Sequence, residues 1–555
     1  MKGLTPKIPD YDAIAWRELA FKERVQLACQ SWALDGYGAP VGVLLFYALK
    51  MALYVGGWLY FCGFSPSLGS ASDVATWGLA PLAFKKAIVW SLLFEVLGLG
   101  CGSGPLTGRN IPPFGGVLYF LRPGGVKLSF FQKLPLLGGT RRGVFDVLVY
   151  AGLCGACLLA LTAPGVESEH IGGVLGLLLL AGLCDKTLFL AARGEHYGVM
   201  CAVFLCASTE AEWIAGGQFL ACCLWFFAGV SKLNRHFPSV VAAMISNSAT
   251  FRLKAFRRAM YQSYPEDLRP SALARWMAHM GTALELSVPL VLCLAGDATM
   301  LSVGLGLMVL LHLFISCHVP AGVPLEWNVL VVYGGFVLFG GFPDVAIWDA
   351  GLPCLLLLLG TSVVVPLLGN FFPAWVSFLP SMRYYAGNWA FSLWFFRGDS
   401  VRKLHKEMAL ASPWVGDQLG YLYDEPTVQG VMSRPVGFRL MHLHGRIVGG
   451  LMSDVLSEPL RNYEWVDGEV VAGMVLGWNF GDGHLHDEQL LGAIQEACGY
   501  ESGELRCLFV ESQPLCGDSL SYRIVDAVDG RLSAGSVPMS ALHNRQTWSD
   551  TPFAD

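Results

Sequence analysis

A lysine stands directly after a long apolar stretch, in the string FFAGVSKLN that runs from Phe226 to Asn234. Ionisable groups at the edge of a hydrocarbon-length helix are costly, so they are functional candidates by default. Burial disfavours the charged form of a lysine, and a shielded Lys232 would carry a free amine near neutral pH and act as a base. The structural alternative is a lysine that extends its amine to the lipid headgroups.

Other ionisable residues also lie inside or beside apolar stretches. They are Lys50, Glu95, Asp185, Lys186, His196, Glu285, His312 and His318. A charge at the bilayer centre costs roughly 2.5 to 3.5 kcal/mol, so we expect these groups to face the bundle interior or a watery cavity. Glu285 is equally suited to pair with a basic side chain, and the histidines to hydrogen-bonded core positions.

Two His-x-His pairs lie near the carboxyl end, at His442 with His444 and at His484 with His486. On a strand, alternate residues share a face and are able to ligate one metal ion. Against a metal, Asp487 precedes an apolar-periodic run and is typical of a helix N-cap. These four histidines are the only metal candidates, and the sequence otherwise predicts no metal site.

The composition indicates a polytopic membrane protein. The chain has 555 residues, of which 54% are hydrophobic and only 14% charged, and its mean hydropathy is +0.50. Soluble domains carry nearer a quarter charged residues and do not sustain such apolar runs. The net charge of -6 is modest, which argues against nucleic acid as a partner. The predicted partner is the lipid bilayer, and the oligomeric state stays open.

Ten apolar windows predict an all-α bundle of about ten spans. They cover residues 39–63, 80–100, 144–163, 171–192, 197–209, 214–232, 277–295, 299–318, 327–344 and 348–369. Basic residues crowd two of the connections, namely Arg109, Arg122, Lys127, Lys133, Arg141 and Arg142 in the first and Arg235, Arg252, Lys254, Arg257 and Arg258 in the second. The positive-inside rule then places both loops and both termini in the cytoplasm, with the plasma membrane as the expected location.

The domain organisation follows from changes in composition. We predict an interfacial amino-terminal segment at 1–37, a transmembrane bundle at 38–370, an interfacial connector at 371–398 and a small soluble α+β domain at 399–555. Within the last, periodicity predicts helices at 400–411 and 487–498 and strands at 470–478, 505–511, 520–525 and 532–537. The Gly- and Pro-rich segment 104–125 favours a re-entrant or surface-lying loop.

The string FFAGVSKLN resembles a signature of the vitamin K-dependent gamma-carboxylase and of the wider family of horizontally transferred transmembrane (HTTM) domain proteins. Other pieces fall in the same order, namely Asp185-Lys186-Thr187, His196-Tyr197, Gln218, Glu285-Leu286-Ser287 and His312. The resemblance covers about a third of the chain, from Asp185 to Asn328, within an HTTM-like core at about 171–345.

That resemblance implies a membrane enzyme in which Lys232 deprotonates a lipophilic quinone, of the reduced menaquinone or vitamin K type, with His196 and His312 assisting. Asp185, Gln218 and Glu285 would then contribute to substrate binding. Similarity to the peptide-binding region of the carboxylase is lacking, so the resemblance does not extend to carboxylation of protein glutamates. No cofactor other than the quinone is implied.

The rest of the chain resembles a second family, of actinobacterial transmembrane proteins of unknown function, through GPLTGRNIPPFGG, LPLLGGTRR and NFGDGHLHDEQL. That family supplies no chemistry. Two hypotheses therefore stand: a carboxylase-like membrane enzyme, and a non-catalytic membrane protein that binds or moves a lipid and docks a partner through its soluble domain. An ion-coupled transporter is less favoured because the halves show no repeat.

Overall fold

The computed structural model describes residues 3–100, 116–319, 324–478 and 482–553, and most of them are helical. The helices of the first half are α1 Phe21–Asp35, α2 Gly42–Cys62, α3 Val74–Trp77, α4 Pro81–Val96, α5 Val117–Phe120, α6 Val144–Thr162, α7 Ser168–Cys184, α8 Lys186–Ala191, α9 Val199–Cys206, α10 Glu210–Val230, α11 Phe237–Asn247 and α12 Lys254–Ala259. Most of segment 104–125, predicted to be re-entrant, lies outside the described residues.

The helices of the second half are α13 Ala272–Cys293, α14 Ala298–Ser316, α15 Leu325–Gly335, α16 Leu352–Leu358, α17 Val365–Phe371, α18 Arg402–Glu407, α19 Val415–Gly420, α20 Glu425–Met441, α21 Ile447–Val455, α22 Gly468–Leu476, α23 Glu488–Cys498 and α24 Met539–Asn544. The strands are β1 Tyr261–Ser263, β2 Asp267–Pro270, β3 Phe391–Arg397, β4 Tyr463–Asp467, β5 Leu505–Val510, β6 Ser519–Asp526 and β7 Gly530–Pro538.

Six helical segments of the described residues are long and apolar enough to cross a membrane. They are Gly42–Cys62, Val144–Thr162, Glu210–Val230, Ala272–Cys293, Ala298–Ser316 and Leu352–Phe371. The prediction of about ten spans is not confirmed, since the remaining windows coincide with shorter or interrupted helices. In the window at 171–192 the chain leaves helical geometry at Asp185, and it does so again at Arg193, directly after that window. An average over apolar residues does not detect these breaks.

A five-stranded antiparallel sheet lies in the carboxyl-terminal part, in the order β4-β3-β5-β6-β7. The predicted strands at 505–511, 520–525 and 532–537 match β5, β6 and β7, and the predicted helix at 487–498 matches α23, which Asp487 caps by accepting a hydrogen bond from the Gln489 N–H. The central strand β3 lies inside the segment predicted to be an interfacial connector. Its side chains are buried on both faces, which removes the alternation that identifies a half-exposed strand.

The strand predicted at 470–478 is wrong, because these residues form α22. Asp467 caps that helix through the Glu469 N–H, and Gly477 ends it in the left-handed conformation with a φ of 78°. Nearly all of its side chains are buried, so the run is apolar on every side and carries no period to separate helix from strand.

Two large hydrophobic cores result from this arrangement. The first unites the bundle helices with the face of the sheet that includes Trp394 and Phe509. The second joins α1 and α11 to the opposite face of the sheet, through Trp32 and Phe395 among others. The amino-terminal segment is therefore packed against the carboxyl-terminal part, where α1 lies against α20.

Candidate functional site

Lys232 forms a buried ion pair with Glu285, in which its amine donates to the carboxylate. The chain turns after α10, where the Lys232 N–H donates to the Gly229 carbonyl at 3.1 Å. A side chain at Gly229 would collide with Leu286, at 2.6 Å from its Cδ2, so the glycine allows α13 to approach closely. That approach brings the carboxylate of Glu285 to the amine.

The Lys232 side chain is buried within the protein, whereas the snorkelling alternative requires an exposed amine. The residue is only 6% exposed and Glu285 only 4%. The Lys232 Nζ also lies 5.6 Å from the centre of the Phe237 ring. A buried cation held by a carboxylate needs no further ligand, because each charge compensates the other.

Both ring nitrogens of His312 are engaged in hydrogen bonds. The Trp225 indole N–H donates to His312 Nε2 at 3.0 Å, and His312 Nδ1 lies 2.8 Å from Asn328 Oδ1. Because an indole is only a donor, Nε2 accepts and Nδ1 carries the proton that it donates to Asn328. This geometry fixes a neutral imidazole, so transfer of a proton by His312 requires one of these bonds to open.

His196 lies on a π-helical turn, Gly194–Gly198, between α8 and α9. It is 9% exposed, and its Nδ1 has no hydrogen-bond partner among the described residues. Its ring centre is 4.7 Å from that of Trp327, in an edge contact. Of the three catalytic candidates, His196 is the one that retains a free polar atom.

An apolar cleft extends from His196 between α4, α9, α10 and α15. Its empty volume is about 390 Å³, and part of this volume is open to the surroundings. Its walls include Phe84, Met200, Leu224 and Leu338, and among the described residues His196 is its only ionisable lining residue. Neither Lys232 nor His312 lines it. The three catalytic candidates therefore do not converge on this cleft.

Trp327 and Asn328, consecutive residues in α15, nevertheless connect two of them. Trp327 packs on the ring of His196, and Asn328 binds His312. The preceding residue, Glu326, pairs with Lys50 at 3.0 Å. One turn of α15 thus touches three separate buried polar groups.

The sequence analysis missed a second buried charge cluster, centred on Arg193. This guanidinium is 0% exposed and lies 3.7 Å from Glu195 and 4.0 Å from Glu95. Its Cζ is 4.7 Å from the Trp327 ring centre, and the Tyr384 hydroxyl donates to Glu195 at 2.7 Å. The signal was present, since Arg193 and Glu195 interrupt an apolar region, but only Glu95 of this group was recognised.

Asp185 and Gln218, predicted to bind substrate, are engaged by the protein itself. Asp185 accepts from the Thr187 and Leu128 N–H groups, and its carboxylate lies 3.3 Å from Arg142. The Gln218 amide donates to the Leu338 carbonyl at 2.8 Å. Asp185 thus caps the start of α8, and Gln218 joins α10 to the turn that contains Leu338. A role of either residue in substrate binding stays a prediction.

The His-x-His pairs do not lie on strands. His442 follows α20 and His444 begins a 3-10 turn, while His484 lies within another such turn and His486 follows it. No three His, Cys, Asp or Glu side chains of the described residues are close enough to hold a metal ion. Burial lowers the pKa of His442 to about 4 and that of His486 to about 3. Both rings are neutral, with hydrogen bonds to the Phe438 carbonyl and to Ser392.

His484 is the exception among these histidines, because its Nε2 donates to Glu511 at 3.0 Å. Burial lowers the pKa of His484, but the hydrogen bond and charge of Glu511 outweigh it and the pKa is raised. Burial by itself raises the pKa of Glu511. The hydrogen bond with His484 outweighs burial, and the pKa of Glu511 is lowered to about 2. The two groups form a charged pair outside the membrane-spanning helices.

A family model described as a transmembrane protein of unknown function (DUF3556) matches residues 1–554. No curated protein and no solved structure matches the chain. The family match agrees with the membrane class that the composition predicts, and it assigns no reaction.

Proposed function

From the premise that this chain belongs to the DUF3556 family of transmembrane proteins of unknown function, we propose that it binds a lipophilic molecule in the cleft beside His196. The class of ligand is a membrane lipid or a quinone that offers one hydrogen-bonding group to the histidine. This is the non-catalytic hypothesis of the sequence analysis, narrowed to one site.

The observation that carries the proposal is an apolar cleft whose lining includes a histidine, His196, with one ring nitrogen that has no hydrogen-bond partner among the described residues. The cleft lies between helices of the bundle, where an acyl or isoprenoid chain is the most available occupant. An unbonded imidazole nitrogen in such surroundings costs free energy unless a ligand satisfies it. His196 Nδ1 is such a nitrogen.

The test compares lipids that remain bound during purification. Ala221 lines the cleft, so Ala221→Phe fills it, whereas Ala283 is exposed on α13 and Ala283→Phe serves as the matched control. We expect mass spectrometry to find one lipophilic species with the wild type and with Ala283→Phe, and a strong loss with Ala221→Phe. Equal lipid content in all three proteins refutes the proposal.

Lysine-base chemistry is a second candidate, favoured by the buried Lys232–Glu285 pair and by the path through Trp327 and Asn328 that joins His196 to His312. A carboxylate beside the amine favours the ammonium form. Proton abstraction by Lys232 therefore requires Glu285 to move away or to take the proton itself. The pair would then act as one unit on a quinol hydroxyl.

Turnover separates the two candidates. The purified wild type, Lys232→Arg and Lys232→Met are supplied with a quinol and dissolved O2 as the oxidant, and oxidation of the quinol is followed. Turnover by the wild type alone supports the lysine as a base, whereas retention of the quinone without turnover in all three proteins supports the binding function.

A further inference from the structure

Arg24 is a buried cation that forms no ion pair among the described residues, although the charges of Glu464 and Glu18 act on it from a distance. It lies on α1, is 4% exposed, and forms no side-chain hydrogen bond or ion pair with the described residues. Its guanidinium is instead stacked between two indoles, with Cζ 4.6 Å from the Trp16 ring centre and 5.4 Å from that of Trp465. Burying an unpaired charge is expensive, so an arginine so placed indicates a missing partner.

A half-open pocket beside Arg24 provides the space for such a partner. It lies between α1, α20 and the edge of the sheet at β4. Its empty volume is about 740 Å³, and part of this volume is open to solvent. Its walls are mainly apolar and aromatic, with Trp16, Trp414, Trp465, Met432, Val436 and Leu440 among them. The Trp16 indole N–H donates to the Arg24 carbonyl at 2.8 Å, which fixes this wall against α1.

The other two arginines of the pocket are already neutralised. Arg17 pairs with Glu464, and Arg439 pairs with Asp467 at 2.6 Å. Arg439 also pairs with Glu469 at 2.9 Å, so Arg24 is the one guanidinium of the lining that forms no ion pair with the described residues. Burial lowers the pKa of Arg24 to about 10, so the guanidinium still carries its charge at neutral pH.

We propose that this pocket binds an amphipathic monocarboxylate, whose carboxylate pairs with Arg24 and whose aromatic or acyl body packs against the tryptophans. A single carboxylate matches the one guanidinium of the pocket that forms no ion pair with the described residues. A phosphate dianion fits less well, since Glu464 and Asp467 at the same walls repel the second charge. An apolar ligand without a charge would leave Arg24 unpaired.

The site is separate from the cleft beside His196, because the two sets of lining residues share no member. It is built from elements distant in the chain, with α1 at one end and β4 more than four hundred residues later. Ligand binding in this pocket is therefore independent of lipid binding in the cleft beside His196.

The test uses the full chain in detergent and the probe 4-phenylbutyrate, with the uncharged 4-phenylbutanamide as its partner compound. Binding is measured by equilibrium dialysis against empty micelles. We expect the acid to bind the wild type at least about tenfold more tightly than the amide, because a charge-assisted hydrogen bond is lost with the amide. Equal binding of acid and amide refutes the proposal.

Variants locate the site. Arg24→Met should lower affinity for the acid to that for the amide, whereas Lys22→Met removes an exposed charge two residues away and should change nothing. Met432→Trp fills the pocket with Arg24 in place and should abolish binding of both compounds. The acid should raise the melting temperature of the wild type and of Lys22→Met but not that of Arg24→Met. Undiminished binding by Arg24→Met, or by a folded Met432→Trp, contradicts the assignment.

Discussion

Lys232, at the end of the apolar helix α10, and Arg24, on α1 beside the carboxyl-terminal sheet, are both buried cations, yet their surroundings differ. The lysine meets a carboxylate, Glu285, on a neighbouring helix. The arginine is stacked between two indoles beside an open pocket and forms no ion pair with the described residues. By its position in the sequence Lys232 is the more conspicuous of the two, but its charge is satisfied within the fold. The difference teaches that a buried charge indicates a ligand only when the protein itself leaves it unpaired.

The bundle follows this pairing rule at several other places. Lys50 lies 3.0 Å from Glu326, and Lys127 lies 2.7 Å from Asp146. Opposite charges that are buried together stabilise each other. Removal of one partner leaves the other charge buried without a counter-charge, which is costly. Substitution of either partner should therefore be far more damaging in the bundle than at the rim of the Arg24 pocket.

The largest effect is expected from breaking the Lys232–Glu285 pair. Lys232→Met should lower the free energy of unfolding by about 3 to 5 kcal/mol, because Glu285 is left buried without a counter-charge. The double variant Lys232→Met with Glu285→Met should recover most of that loss. Unfolding in mixed micelles measures both, with Lys133→Met as a control at an exposed lysine. A single variant as stable as the wild type would show that the charges do not depend on each other.

An intermediate effect is expected from the His484–Glu511 pair, which is charged like the bundle pairs but lies outside the candidate membrane spans. The stability from Glu511 is present above its ordinary pKa of 4.5 and disappears as the pH falls towards about 2. The stability from His484 is present below its ordinary pKa of 6.5 and disappears as the pH rises through its raised value. The pair should therefore contribute most between these two ordinary values.

Glu511→Gln tests this window, and it should cost about 1 to 2 kcal/mol of unfolding free energy between about pH 4.5 and 6.5, with a smaller cost on either side. Chemical unfolding across the pH range provides the measurement. Glu501→Gln, at an exposed acid of the same region, is the control. A cost that does not vary with pH argues against a charged pair.

The smallest effect is expected at Arg17, which lines the same pocket as Arg24 but pairs with Glu464 at the surface. Its side chain is 45% exposed, so solvent screens the pair and Arg17→Gln should change the free energy of unfolding by less than about 1 kcal/mol. A loss of unfolding free energy as large as that of Lys232→Met would show that the two regions do not differ in this respect.

The features that the sequence predicted correctly are those with a local signal. Asp487 caps α23, and the strands β5 to β7 lie where alternation indicated them. The sequence also indicated that Glu285 would suit a basic partner, but it did not identify Lys232 as that partner. It failed for α22 and β3, whose residues are buried on all sides and carry no period. It also passed over Arg24, since nothing near it in the chain distinguishes it from a surface arginine.

What the sequence determined by itself is a membrane protein with several apolar helices and a small carboxyl-terminal sheet, because apolar length and alternation are properties of neighbouring residues. Only the tertiary structure decided which charges meet. Lys232 and Glu285 are 53 positions apart, and Arg24 faces a pocket whose other wall comes from β4. Contacts of this kind depend on how helices and strands pack, and the packing joins residues that no local pattern relates.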